Sequence, residues 1–172
     1  GKGQTACEAC SAGGFCAAGA VAPTLCAAGT FSGAAGNAEQ SDCQPCTEGH
    51  VCAGGATAST PCAAGSVSKA SGAAECTPCE AGRFQRKKGR TTCDACSAGA
   101  YCADAGSTSP TACPGGTFSQ ATGLTSEMDC TPVEPGFWAP TGSKQPEACP
   151  ASGFTCPGRS LDTVDEAPGS KP

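Results

Sequence analysis

The chain has 172 residues, of which 17 are Cys, 25 Gly and 14 Pro, whereas large apolar residues make up about a tenth. This composition excludes an ordinary globular domain, because so few large side chains cannot build a conventional core. The cysteine content indicates that disulfides replace the core, and it predicts an oxidising, extracellular compartment. The net charge of -5 disfavours nucleic-acid binding, and no apolar run is long enough to span a membrane.

A cysteine motif, Cys-x-x-Gly-x-(Phe, Tyr or Val), divides the chain into units of about 17 residues. Seven cysteine-rich repeats cover residues 10–132 and start at 10, 26, 46, 62, 79, 96 and 113. A degenerate repeat without cysteines follows at 133–148, and a final short disulfide loop is predicted at 149–156. Residues 157–172 depart from the pattern and read as an acidic tail or linker. Internal periodicity of this kind is typical of repeat architectures.

The count of two cysteines per intact unit predicts the disulfide pairing. In some units the second Cys directly follows the aromatic position, and in others it comes late, three residues before the next unit. The simplest pairing is one bridge inside each unit. The predicted pairs are Cys10–Cys16, Cys26–Cys43, Cys46–Cys52, Cys62–Cys76, Cys79–Cys93, Cys96–Cys102, Cys113–Cys130 and Cys149–Cys156.

Two places depart from that count. Residues 3–10 (GQTACEAC) match residues 89–96 (GRTTCDAC), so we interpret residues 1–9 as the tail of a truncated upstream repeat. Cys7 has no partner within the chain under this scheme, and we expect it to pair with an upstream Cys; an intermolecular bridge is the alternative. In the degenerate repeat Val133 and Ala139 replace both cysteines, and we expect Trp138 to supply by packing what this unit lacks in cross-linking.

The local sequence predicts turns and short ladders rather than helices. The Gly of each motif lies inside a tight loop, where a positive φ is needed. Segments such as Gly29-Thr30-Phe31-Ser32 should form short β-ladders, and no segment has the apolar stripe of a helix. The predicted fold is therefore small and disulfide-rich, an elongated array of repeats with short β-ladders, loops and almost no helix. Each unit is expected to contact only its neighbours.

Two kinds of surface site are predicted. Five basic residues lie between positions 83 and 90 and form a candidate polyanion patch: Arg83, Arg86, Lys87, Lys88 and Arg90. A solvated loop is the alternative interpretation. Ser and Thr beside Pro give candidate O-glycosylation sites at Thr24, Thr60, Ser109, Thr111 and Thr141, for which plain polar loops are the alternative.

The sequence gives little support to catalysis or metal binding. His50 is the sole histidine, so an acid-base or nucleophilic site has few groups from which to assemble, and no cofactor is expected. The spacing of Cys76, Cys79, Cys93 and Cys96 is nearly that of a zinc ribbon. Because the same cysteines belong to the longer series of two per unit, we favour disulfides over a metal site.

The phrase Cys26-Ala27-Ala28-Gly29-Thr30-Phe31-Ser32, followed by Cys43-Gln44-Pro45-Cys46, resembles the cysteine-rich repeat of ephrin-receptor ectodomains. It is more loosely similar to tumour-necrosis-factor-receptor and EGF-like modules. The resemblance covers residues 1–132 well and 133–156 in degraded form. It implies a module that occurs in receptors, adhesins, secreted matrix proteins and flagellar-hair (mastigoneme) proteins, and the Ala-rich, Gly-rich spacing is more similar to protist or algal proteins.

These observations predict a non-catalytic structural or adhesive segment of a larger extracellular glycoprotein, either a rod-like spacer or a filament-forming region. Its expected partners are other copies or other segments of the parent protein, and glycans. A ligand-binding stalk of a cell-surface receptor is the alternative, with a zinc-binding protein as the second alternative. No membrane span or nucleic-acid partner is expected in this segment.

Overall fold

The structure is a computed structural model that describes residues 10–149. Within these residues the chain forms sixteen two-residue strands and two three-residue 3-10 turns. The strands are β1 Gly14–Phe15, β2 Thr24–Leu25, β3 Thr30–Phe31, β4 Gln44–Pro45, β5 His50–Val51, β6 Thr60–Pro61, β7 Ser66–Val67, β8 Thr77–Pro78, β9 Arg83–Phe84, β10 Asp94–Ala95, β11 Ala100–Tyr101, β12 Thr111–Ala112, β13 Thr117–Phe118, β14 Thr131–Pro132, β15 Phe137–Trp138 and β16 Glu147–Ala148. The 3-10 turns are Gln40–Asp42 and Glu127–Asp129. This pattern confirms the predicted small disulfide-rich β fold.

Consecutive strands pair as hairpins, which gives eight two-stranded antiparallel sheets within residues 10–149. The first strand of each hairpin ends at the aromatic position of the repeat motif, and the second lies directly before the start of the next unit. In register, Phe15 lies opposite Thr24 and Tyr101 opposite Thr111. A hairpin with two residues per strand is not stable in isolation. Each hairpin must therefore be held by the units around it.

The chain folds into two compact bodies. Of the described residues, the first body contains 10–79 together with Gln85–Cys93, and the second contains Glu80–Phe84 and 94–149. The unit that starts at residue 79 is consequently divided. Its disulfide, Cys79–Cys93, belongs to the first body, whereas its hairpin of β9 and β10 belongs to the second.

The core of both bodies consists mainly of cystine. The largest fully buried side chains in residues 10–149 are all cysteines: Cys26, Cys46, Cys52, Cys62, Cys79, Cys96, Cys102 and Cys113. The buried apolar residues other than cysteine are Val67, Ala100, Val133 and Ala139. Disulfides thus occupy the interior positions that Leu, Ile and Phe fill in an ordinary domain, as the composition predicts.

The two 3-10 turns lie in the longest disulfide loops. Cys26–Cys43 and Cys113–Cys130 each span 17 residues, three more than Cys62–Cys76 and Cys79–Cys93. Each turn ends directly before the second cysteine, and the Asp at its last position accepts a hydrogen bond from the backbone N–H of the residue directly before the turn. No helical segment of residues 10–149 has the length and apolar character to cross a membrane.

Candidate functional site

Main-chain hydrogen bonds build the joints between consecutive units. Where the units starting at 26 and 46 meet, the N–H of Gly29 donates to the carbonyl of Cys52 at 2.8 Å and that of Ser32 to Ala56 at 3.1 Å. In return, the N–H of Gly55 donates to the carbonyl of Cys26 at 2.8 Å. The same three bonds recur in the first body between the units that start at 10 and 26, at 46 and 62, and at 62 and 79. In the second body they recur between the units that start at 96 and 113 and at 113 and 133. The joint therefore depends on backbone geometry more than on particular side chains.

Units two apart also touch, so the expectation that each unit contacts only its neighbours is wrong within each body. Gly29 has a φ of +88°, and a Cβ placed there would overlap the carbonyl oxygen of Gly72, two units later. The equivalent pairs are Gly13 with Gly55 and Gly49 with Gly89 in the first body, and Gly82 with Gly123 and Gly99 with Gly142 in the second. Glycine at the motif position leaves room for the backbone of the second unit along.

The disulfides of the described residues follow one per unit. The bridges are Cys10–Cys16, Cys26–Cys43, Cys46–Cys52, Cys62–Cys76, Cys79–Cys93, Cys96–Cys102 and Cys113–Cys130. Each of these seven is the pair that the repeat count predicts. Cys149 is also disulfide-bonded, while Cys156, its predicted partner, and Cys7 lie outside the described residues.

This pairing removes the cysteines of the zinc alternative from metal binding. Cys76, Cys79, Cys93 and Cys96 all lie in disulfides, and a cystine sulfur is not the thiolate that zinc requires. In residues 10–149, moreover, no group of three or more His, Cys, Asp or Glu side chains is placed to hold a metal ion.

The unit without cysteines has buried side chains at both positions where other units have cysteine. Val133 is 7% exposed and Ala139 is fully buried, so these two residues occupy the interior where other units have cystine. Trp138 lies half-buried on β15, opposite Glu147. Val133 and Ala139 therefore fill the two interior positions of the missing disulfide, while the packing expected from Trp138 stays a prediction.

Four buried polar side chains brace the loops that follow them: Ser32, Ser68, Gln85 and Ser119. All four stand directly after the aromatic position, where other units have Cys. Gln85 donates from Nε2 to the carbonyl of Thr92 at 2.8 Å and accepts at Oε1 from the N–H of Lys87 at 3.0 Å. No buried side-chain nitrogen or oxygen in residues 10–149 lacks a hydrogen-bond partner. The sequence identifies these positions but not their bracing role.

The predicted polyanion patch divides between the two bodies. Arg83 lies on β9 in the second body, whereas Arg86, Lys87, Lys88 and Arg90 lie in a loop of the first. We call residues 86–92 the basic loop. Its four cationic side chains are exposed, and its backbone is fixed by the bond from Gly89 N–H to Cys62 at 2.8 Å and from Ser68 N–H to the Arg90 carbonyl at 3.1 Å.

The candidate O-glycosylation residues are all exposed. Thr24, Thr60 and Thr111 each begin the second strand of a hairpin, and Ser109 and Thr141 lie in loops. Exposure makes these hydroxyls accessible to a transferase. Their glycosylation stays a prediction.

One cavity of about 360 Å³ opens beside the first 3-10 turn, and it is lined mainly by small and polar residues that include Ser32, Asn37 and Asp42. Hydrogen bonds from the backbone N–H groups of Glu39 and Ala38 hold the pKa of the Asp42 carboxyl below its ordinary value of 3.8. His50 lies on β5, with Nδ1 at 3.2 Å from the carbonyl oxygen of Glu48. The carboxylate and the imidazole thus both bond to nearby backbone.

Comparison with known proteins finds a family match for the central units. A family model described as tyrosine-protein kinase ephrin type A/B receptor-like matches residues 65–113. A search of curated proteins found no similar sequence. The matched segment contains most of the unit that starts at 62 and the whole of the units that start at 79 and 96. Domains of this type are non-catalytic and serve in binding or structure. Residues 65–113 are therefore a cysteine-rich repeat segment of the ephrin-receptor-like type, characteristic of extracellular receptor-like or structural regions.

Proposed function

We propose that the chain is a non-catalytic structural segment of a larger extracellular protein and acts as a stiff, rod-like spacer. The observation that supports this most directly is the recurrence of the same three main-chain hydrogen bonds at the joints within each body. A repeated joint of constant geometry propagates one arrangement from unit to unit, as in solenoid proteins.

Contacts between units two apart support stiffness. If only adjacent units touched, each joint would be free to bend about a single contact. The packing of Gly29 against Gly72 ties the unit at 26 to the unit at 62, across the intervening one. Bending one joint of the first body must then disturb a second contact, which raises the cost of bending.

Disulfides add resistance to extension. A pulling force cannot straighten the segment between two bridged cysteines unless the bridge is reduced. For Cys26–Cys43, with a separation of 17 residues and Cα atoms 5.7 Å apart, the bridge withholds about 50 Å of extended chain. A spacer built this way keeps its length under load in an oxidising compartment.

Small-angle X-ray scattering of the disulfide-intact chain tests the proposal. A compact domain of 172 residues has a radius of gyration of about 16 Å. We expect a value well above that, with the distance distribution of a rod, and electron microscopy should show rods at low concentration. Lateral filaments at high concentration would extend the proposal to a filament-forming region, whereas compact particles would overturn it.

A ligand-binding stalk is the second candidate, and the exposed basic loop favours it. Stiffness and binding are compatible, because a spacer can present a ligand site on one of its loops.

The predicted O-glycosylation has its own test, the intact mass of the protein secreted from eukaryotic cells. A mass equal to the sequence less the bridge hydrogens would exclude O-glycans.

A further inference from the structure

The charges of this chain are strongly segregated. Five of its ten basic residues lie between positions 83 and 90, so the rest of the chain carries five basic residues against 15 acidic ones. Four of the five belong to the basic loop. A concentrated cationic site on an otherwise acidic protein attracts polyanions locally while the remaining surface repels them.

A neighbouring loop shows that the cations are not needed for folding. Residues 69–75 (KASGAAE) occupy the same place in the unit at 62 as the basic loop (RKKGRTT) does in the unit at 79. Both loops are closed by disulfides with a separation of 14, and Gly72 and Gly89 each donate to the first cysteine of the preceding unit, at 2.7 and 2.8 Å. The loop at 69–75 adopts this geometry with a single Lys and a single Glu.

The backbone of the basic loop is held in place. Gln85 bonds to both ends of the loop, at Lys87 and Thr92, and the backbone of Arg90 pairs with Val67 in a parallel bridge. Fixed backbone positions reduce the entropy lost on binding, since only the side chains must be ordered. Lys69 directly follows Ser68, whose N–H donates to the Arg90 carbonyl, and it adds an exposed cation beside the loop.

We propose that the basic loop binds a sulfated extracellular polysaccharide through Arg86, Lys87, Lys88 and Arg90. Arg forms paired hydrogen bonds with planar or tetrahedral oxyanions, and Lys adds a point charge. The disulfide core places the chain outside the reducing cytosol, where sulfated polysaccharides are available as linear polyanions. Residues 86–92 contain no apolar side chain to insert into a bilayer, which disfavours a membrane surface. This proposal does not depend on the spacer function.

The test uses the full chain with intact disulfides and immobilised heparin as the probe. We expect binding at about 0.15 M salt that weakens steeply as salt rises, as expected when several fixed cations displace counterions. Replacing all four cations (Arg86→Gln, Lys87→Gln, Lys88→Gln and Arg90→Gln) should weaken binding by about tenfold to a hundredfold. Lys88→Gln should weaken heparin binding more than Lys144→Gln does, because Lys144 is an exposed cation of the second body that lies outside the basic loop.

Two further probes separate the alternatives. Polyglutamate represents an acidic protein partner, and vesicles containing phosphatidylserine represent an anionic membrane. Unchanged heparin affinity in the fourfold variant would overturn the proposal, as would capture by polyglutamate or vesicles without capture by heparin. Non-reducing peptide maps of both proteins control for folding, and we expect identical maps because the four side chains are exposed.

Discussion

The units that start at 96 and 133 reach the same local structure with and without a disulfide. In the first, Cys96 and Cys102 are bridged and buried; in the second, Val133 and Ala139 occupy the same two positions and are also buried. The carbonyls of Cys102 and Ala139 accept the same bond, from Gly82 and Gly116, at 2.8 Å in each case.

The similarity of the two units distinguishes the features that determine the fold of a unit from the disulfide that stabilises it. The turn, the two-residue hairpin and the bond donated by the motif Gly of the preceding unit are present in both, although only one is cross-linked. The backbone pattern, with Gly at the motif position, therefore specifies the unit. The disulfide adds stability, chiefly by restricting the unfolded chain.

The substitution Gly99→Ala should give the largest effect, because it disrupts the contact between these two units. A Cβ on Gly99 would overlap the backbone of Gly142 and approach the carbonyl of Ser143, neither of which can move aside cheaply. We expect the free energy of unfolding of the second body to fall by about 3 kcal/mol or more, from overpacking added to the strain of a positive φ. Denaturant titration of the disulfide-intact protein measures the loss.

Gly136→Ala is the matched control. Gly136 lies in the same body as Gly99 and has a positive φ of +89°, but a Cβ there would meet nothing within 4 Å. This variant should lower the free energy of unfolding by about 1 kcal/mol, because it adds only the strain of a side chain at a positive φ. Equal losses in the two variants would show that packing between units two apart contributes nothing.

Converting the unit at 96 to the pattern of the unit at 133 should have the next largest effect. The double variant Cys96→Val with Cys102→Ala should remain folded with its other bridges unchanged, and it should lose about 2 kcal/mol, the stabilisation expected from so short a loop. Thermal unfolding measures the loss of stability, and a non-reducing peptide map shows whether the other bridges are unchanged. Scrambled bridges or a fully unfolded chain would mean that the disulfide itself specifies the unit.

The reverse change should stabilise the unit at 133. Val133→Cys with Ala139→Cys restores the sequence spacing of Cys96 and Cys102, whose Cα atoms are 6.2 Å apart. We expect spontaneous oxidation, a mass lower by two hydrogens, and a gain of about 1–2 kcal/mol. Reduction should remove the gain, and two free thiols in the purified variant would contradict the shared geometry.

The repeat count made much of this structure predictable. Two cysteines per unit yield the pairs that the structure contains. The motif glycines mark turns, and the eight that lie in residues 10–149 have φ angles between +77° and +89°. The contact between Gly29 and Gly72 was not predictable, because it joins units whose separation depends on how successive joints are rotated. Likewise, the sequence marks Gln85 only as a replacement for Cys; that its amide reaches across to Thr92 depends on the path of the loop.

The smallest effect concerns a turn that the long disulfide loops contain and the unit at 133 lacks. In the loop closed by Cys26–Cys43, backbone N–H groups of Glu39 and Ala38 bond to the Asp42 carboxylate and lower its pKa below 3.8. Because the folded-state pKa lies below the unfolded one, this contribution is fully present above 3.8 and is lost as the pH falls through the lowered value.

Asp42→Asn should therefore reduce the acid dependence of stability while leaving the pairing of Cys26 with Cys43 unchanged. The side chain is fully exposed, so solvent screens the interaction and the change should be small. Melting temperatures of the two proteins at neutral pH and below pH 3.8 measure it, and a proton titration of Asp42 by NMR gives the pKa directly. If the melting temperatures of both proteins fall equally on acidification, the turn does not depend on the charged carboxylate, and the extra residues of the long loop only connect its ends.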